Sequence, residues 1–377
     1  MTLAKSDGSL TNHQRLQEQI DHRGLDAAIA LSQPNLTYTS GFHNLDLALL
    51  PYERLHATVT DGTGNVTFIH PKREEPVDTW VPDVVVYDDS EESGLNVLAQ
   101  VLHDKGLGRS RLGIELGQVP AAIIDGLREA LPEAQWRSAD DLFAEVRLIK
   151  TPAEVEVLKE LAVATERAIV AAYSMARPGD TEKQVVDLMG YAVTRNGADI
   201  VAFNVFASGP RTTTGHHRAE PVRLEPGSIV RVDYGASLRG YYSDLVRMAV
   251  VGEPTERQRS IYRRVVEFHR EMIDLCRPGK SLRDLWEATS RSHERLGLTM
   301  TRSMFGHSIG LYVHEPPIID AKTVRSLEPG MVLCVEHGWT DTAYPERYHI
   351  EDMILVTDNS PQILSNTTSI DDMLVIA

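Results

Sequence analysis

Two acidic residues recur at matching places in the second half of the chain. Asp233 stands near the end of Leu224-Glu225-Pro226-Gly227-Ser228-Ile229-Val230-Arg231-Val232-Asp233-Tyr234-Gly235, and Glu336 near the end of Leu327-Glu328-Pro329-Gly330-Met331-Val332-Leu333-Cys334-Val335-Glu336-His337-Gly338. In both, a Pro-Gly turn launches a β-branched strand that runs to a carboxylate and then a glycine. A return strand follows each, carrying Asp244 in Gly240-Tyr241-Tyr242-Ser243-Asp244 and Glu351 in Tyr348-His349-Ile350-Glu351. With Leu238 and Arg239 at the loop tip, Asp233 is expected to face Asp244 directly across the ladder, unless a bulge shifts the register. The longer connection from Thr340 to Arg347 leaves the opposition of Glu336 and Glu351 less defined.

Like charges opposite each other destabilise a sheet, and carboxylates about 4 Å apart repel by roughly 4 kcal/mol at an effective dielectric of about 20. Solvation, protonation or pairing with Arg247 and Arg347 would relieve that repulsion. So would a bound divalent cation, because carboxylate oxygens and imidazole suit manganese, iron, cobalt or zinc. Repetition of the whole arrangement favours the cation.

Histidines flank these hairpins. Between them runs Phe305-Gly306-His307-Ser308-Ile309-Gly310-Leu311-Tyr312-Val313-His314-Glu315-Pro316-Pro317, where Gly306 and Gly310 permit a tight path around His307. The odd spacing from His307 to His314 puts the two on opposite faces of a regular strand, so they meet one site only if the chain bends, with Gly310 as the candidate hinge. Upstream, Ser208 to His217 reads as a polar loop carrying His216 and His217 at the surface.

Elements must position these groups. Thr151-Pro152-Ala153-Glu154 is a capping box with Pro at the first helical position, and Val155, Leu158, Ala162, Ile169 and Ala172 keep a helical period until Pro178-Gly179. Thr181 with Gln184 opens a second helix that ends near Gly197. The same grammar returns with Thr255 and Gln258, then Ile261, Val265, Phe268 and Met272, then Pro278-Gly279, with Ser281 opening the next helix. Each helix pair precedes one carboxylate hairpin, so this half reads as an internal duplication. Up to Arg147 the pattern differs: Leu25–Leu31, Leu55–Val59, Val66–Ile69 and Val84–Tyr87 read as strands, Leu95–His103 and Val119–Leu131 as helices. The chain therefore predicts an α/β domain at 1–147 without a Gly-rich phosphate loop, then an α+β domain at 148–377 with pseudo-two-fold duplication. A length of 377 residues suits two domains.

With 54 acidic against 38 basic side chains the formal charge is −16, which disfavours nucleic acid and anionic membrane as partners. No stretch reaches the ~18 to 20 apolar residues of a membrane span. Met1–Gln14 lacks the basic start and apolar run of a signal peptide, and a cytoplasmic location is expected. Cys276 and Cys334 are too few for a disulfide framework, lack the spacing of a thiolate zinc site, and read as small buried side chains.

Together the two hairpins, the His307 segment and the boundary phrase Val146-Arg147-Leu148-Ile149-Lys150-Thr151-Pro152-Ala153-Glu154-Val155 resemble the family of prolidases, aminopeptidase P, creatinase and methionine aminopeptidase. The resemblance implies a creatinase-like N-terminal domain before a pita-bread catalytic domain. It implies two divalent metal ions, manganese first with cobalt, zinc or iron as alternatives. Asp233 would bind one, His307 and Glu336 the other, and Asp244 and Glu351 both. Glu336 is implied as general base and then acid for a water shared by the metals. His314 and His216, with His217 as fallback for the latter, would contact substrate and stabilise the oxyanion. Amide hydrolysis follows, foremost by a Xaa-Pro dipeptidase or aminopeptidase acting on a dipeptide as a homodimer. Alternatives are a C–N hydrolase of a small amide or ring, similar to ectoine hydrolase, and a lyase similar to the dimethylsulfoniopropionate lyases. The chain departs from the peptidase pattern at Val246, Ser308, His337 and His349, and all four are expected near the site. His349, replacing an Arg and sharing a face with Glu351, is expected to alter substrate recognition unless Arg347 takes over.

Overall fold

The computed structural model describes residues 9–44, 54–295, 303–341 and 343–377; of the polar stretch Met1–Gln14, residues 1–8 lie outside them. The chain forms two compact units, Met1–Arg147 and Leu148–Ala377. Among the described residues no helix is long and apolar enough to cross a membrane.

In the first unit, strands β1 (Ala27–Ala30), β2 (Ala57–Asp61), β3 (Val66–Pro71), β4 (Asp83–Tyr87), β5 (Arg111–Ile114) and β6 (Gln135–Ser138) make one mixed sheet in the order β4-β3-β2-β1-β5-β6. Among the described residues five helices accompany it: α1 (His13–His22), α2 (Gln33–Ser40), α3 (Gly94–Asp104), α4 (Ala121–Ala130) and α5 (Asp140–Leu148). Ile29, Val59, Leu112 and Ile114 bury against Leu98 and Leu102 of α3 and Leu127 of α4. The strands read from β-branched runs are present with shifted ends. α2 and β6 escape such a reading for physical reasons: α2 is built mainly of polar residues although buried almost all round, so it shows no apolar stripe, while β6 is a largely exposed edge strand with no apolar alternation.

The second unit begins with α6 (Pro152–Met175), α7 (Glu182–Arg195), β7 (Ile200–Ser208), β8 (Ile229–Leu238), β9 (Tyr241–Tyr242) and β10 (Leu245–Val251). It continues with α8 (Glu256–Leu275), α9 (Leu282–Arg295), β11 (Met304–Ser308), β12 (Glu315–Asp320), β13 (Val332–Asp341), β14 (Glu346–Leu355), β15 (Gln362–Ile363) and β16 (Leu374–Ile376). One ten-stranded sheet has the path β12-β11-β13-β14-β10-β8-β7, with β9, β15 and β16 alongside β8, β14 and β10. Capping boxes at Thr151, Thr181 and Thr255 start α6, α7 and α8, and the Ser281 hydroxyl accepts from the Asp284 N–H at 3.0 Å to start α9. The duplication is visible in backbone bonds. Gly179 N–H donates to Leu224 O as Gly279 N–H donates to Leu327 O, both at 2.9 Å. Likewise Gly227 donates to Val251 O at 2.7 Å and Gly330 to Val356 O at 2.9 Å.

Strand alternation sorts the side chains of the central strands. Leu333 and Val335 of β13 and Ile354 of β14 pack with Phe268 and Met272 of α8. Tyr348 and Ile350 of β14 pack with Val265 and Val266. The intervening residues Cys334, Glu336, His349 and Glu351 are therefore turned to the opposite face.

Candidate metal centre

The carboxylates form a row across four strands. In the ladders Asp233 pairs with Val246, Val246 with Glu351, and Glu351 with Glu336. Directly paired residues share a face, so three acids and one valine line up on β8, β10, β14 and β13. Glu336 and Glu351 thus oppose each other directly. Asp233 and Asp244 do not: the structure places Val246 opposite Asp233 and leaves Asp244 two residues away, a diagonal neighbour. The hairpin tip is Arg239-Gly240, with φ of 53° and 81°, and Leu238 pairs with Tyr241. A two-residue hairpin of this twist needs positive φ at both tip positions, which Gly240 allows without strain and Leu238 would not.

His307 joins the row from β11, opposite Cys334 of β13. Gly306 lets β11 come this close: a Cβ there would lie 2.1 Å from Cys334 O. His307 Nε2 is 3.7 Å from Asp244 Oδ2 and 3.7 Å from Glu351 Oε1. One ligand atom each from Asp244, His307, Cys334 and Glu351 lies within 4.8 Å of the others, and the same holds for Glu336, His349 and Glu351. All six residues are buried, and Glu351 belongs to both groups. His349 Nε2 is 3.1 Å from Glu336 Oε2. Buried carboxylates and imidazole packed this tightly form a donor set suited to a divalent cation.

Pairing with Arg247 does not relieve the charge. Its guanidinium binds Asp352, at 2.5 Å, and Glu166 of α6, at 2.6 Å, and Asp352 alternates with Glu351 and therefore lies on the helix face. Arg347 lies over Gly338, where a Cβ would come within 3.0 Å of its Nη2.

The chain between β11 and β12 bends, and the His307 and His314 rings stack at 3.8 Å with a 24° interplanar angle. Exposed His314 lines a cleft of about 420 Å³ with Ala202, Phe203, Tyr242, Tyr312 and Val313. Burial raises the Tyr242 hydroxyl above its ordinary pKa, which keeps it a neutral donor. The cleft draws on three separate segments, so no local pattern announces it. In the segment read as a polar loop, Gly209–Thr213 forms a short 3-10 turn, after which Arg231 holds the carbonyls of Thr214 and Gly215. His216 is exposed and His217 half-buried, and neither belongs to the two close groups.

Residues 13–149 match the creatinase/prolidase N-terminal domain, and residues 156–358 match metallopeptidase family M24. The Xaa-Pro dipeptidase of Pyrococcus furiosus is 30% identical over 76% of this chain and 84% of its own. This chain belongs to metallopeptidase family M24. The solved prolidase from Pyrococcus furiosus aligns over 94% of this chain and 100% of its own, at 27% identity and a TM-score of 0.78. The prolidase from Pyrococcus horikoshii aligns over 94% and 98%, at 26% identity and a TM-score of 0.81. The duplicated sheet is the pita-bread fold, and the M24 chain is a metal-dependent hydrolase of amide bonds. The small-amide hydrolase and lyase readings gain no support from these relatives.

Of the four departures in this M24 chain, two are not at the centre. His337 alternates with Glu336 and points to the helix side, its ring 4.0 Å from Phe268 and 4.9 Å from His293. Ser308 turns away from His307 towards the buried Lys150 amine, which donates to its hydroxyl at 3.3 Å and pairs with Glu315 at 3.4 Å. Val246 and His349 do face the centre. The residue that sequence reasoning missed there is Cys334. Its signal was the spacing of two from Glu336, which puts both on one face of a strand. Burial, with the Glu351 and Asp244 charges adding, pushes its thiol well above the ordinary value.

Proposed function

We propose that this M24 chain is a Xaa-Pro dipeptidase. Asp233, Asp244, His307, Glu336 and Glu351 would hold two divalent ions, with manganese ahead of cobalt, zinc and iron on such an oxygen-rich set. The observation that carries this reading is the buried convergence of Asp244, His307 and Glu351 with Glu336 directly across the ladder. Bound ions supply Lewis-acid activation of water and of the scissile carbonyl. Glu336 takes the water proton and passes it to the leaving nitrogen. His349, bonded to Glu336, fixes that carboxylate and through it the placing of substrate. His314, on the rim of the Phe203–Tyr242–Tyr312 cleft, and His216 contact the substrate carbonyl and carboxylate. Relatives named Xaa-Pro dipeptidase and prolidase, with the aromatic lining of the cleft, support an imino-acid substrate. The reading includes a homodimer, an implication of the family resemblance, and the cytoplasmic location expected from the sequence.

The test is metal analysis followed by hydrolysis of Xaa-Pro against Xaa-Ala dipeptides. Chelation is expected to abolish turnover and a divalent ion to restore it, with the Xaa-Pro series preferred. Full activity in metal-free protein would overturn the metal assignment, and preference for Xaa-Ala the substrate assignment. His349→Arg is expected to change the ratio of kcat/KM between the two series by about tenfold, the scale at which partners of ligands act. An unchanged ratio, read by the same assay, would remove His349 from recognition.

A further inference from the structure

Cys334 lies inside the centre, although nothing in the five-residue ligand set accounts for it. It sits directly opposite His307 in the β11–β13 ladder and two residues before Glu336, so it faces the row of carboxylates. It is fully buried. Its sulfur is within 4.8 Å of ligand atoms of Asp244, His307 and Glu351, residues brought in from three other segments of the chain. Gly306, with no Cβ to meet Cys334 O, lets β11 lie close against β13 at this point. The thiol lies 3.9 Å from Asp244 O, a long contact even for sulfur, and beside the Glu351 carboxylate, with which it also hydrogen-bonds.

We propose that the Cys334 sulfur is a donor to the metal position beside His307, and that it turns this position from manganese towards zinc or cobalt. The inference rests on the two-metal reading above and changes the metal expected at one of the two positions. Two carboxylates, an imidazole and a sulfur are the donor mix of zinc and cobalt sites, whereas oxygens with one imidazole suit manganese. On binding, the S–H bond breaks, the sulfur lone pair forms the metal–sulfur bond, and the proton leaves to bulk water. The other position, which the reading above gives to Asp233 with the shared Asp244 and Glu351, has oxygen donors and keeps its oxygen character.

The experiment is X-ray absorption on metal-free wild-type protein reloaded with zinc, together with the near-ultraviolet spectrum of the cobalt-loaded protein. A sulfur neighbour at about 2.3 Å from zinc and a sulfur-to-cobalt charge-transfer band are expected. Cys334→Ser should lose the band and move the zinc-to-manganese occupancy ratio towards manganese by about tenfold or more. Zinc bound in full amount with only oxygen and nitrogen neighbours overturns the proposal and leaves the two-metal reading standing. Protein that takes up no metal overturns both. Because the wild-type spectra carry the decision, a Cys334→Ser chain that fails to fold does not blunt the test.

Discussion

Glu351→Ala is expected to release metal from both positions and to lower kcat/KM by about 10³-fold or more, equivalent to about 4 kcal/mol of transition-state stabilisation. The reason is topological. Among the described residues Glu351 is the side chain shared by the Asp244–His307–Cys334 group and the Glu336–His349 group, because β14 lies between β13 and β10. Little structural damage accompanies the loss, since the contact that fixes this strand from behind uses the Glu351 carbonyl, which accepts from Arg247 Nη1 at 2.8 Å and survives the substitution. Metal content by elemental analysis and dipeptide kinetics on the folded variant provide the check. A Glu351→Ala protein that keeps two ions and near-full turnover would show that the shared carboxylate is not a ligand.

Arg247→Ala acts on the other side of the same strands, through stability rather than chemistry. Arg247 is buried among Glu166, Asp352 and the carbonyls of Val246, Glu351 and Ser365. His269 Nε2 completes the cluster at 2.9 Å from Asp352 Oδ2. Removing the cation leaves two buried carboxylates without it, and breaking a buried pair in this way costs about 3–5 kcal/mol. In a unit of this size that lowers Tm by roughly 10 °C. Arg247→Met combined with Glu166→Gln and Asp352→Asn removes the charges together and is expected to recover most of the loss, because an uncharged site carries no uncompensated ion. Thermal or urea unfolding of the two variants decides. A single-variant loss below about 1 kcal/mol, typical of exposed pairs, would mean that the network is not holding β10 to β14.

The sequence by itself determined the local pieces. Pro-Gly turns and β-branched runs set the two hairpins, capping boxes at Thr151, Thr181 and Thr255 set three helix starts, and the period of two put His349 with Glu351 and Cys334 with Glu336. Those features depend on neighbours a few residues apart, so a linear reading can reach them. Only the tertiary structure decided how the pieces meet. The tip at Arg239-Gly240 moved Asp244 from a direct to a diagonal partner of Asp233. Pairing of Val246 with Glu351, residues more than a hundred positions apart, joined the two hairpins into one site. The bend after Ser308 stacked His314 on His307, and the same packing sent His337 to the helices and brought Cys334 beside Asp244, His307 and Glu351. Each of these depends on which strand edges close against each other, a choice made by burial of the whole sheet. The carboxylates were legible as a repeated motif, but their number, order and company at the centre were fixed by long-range pairing.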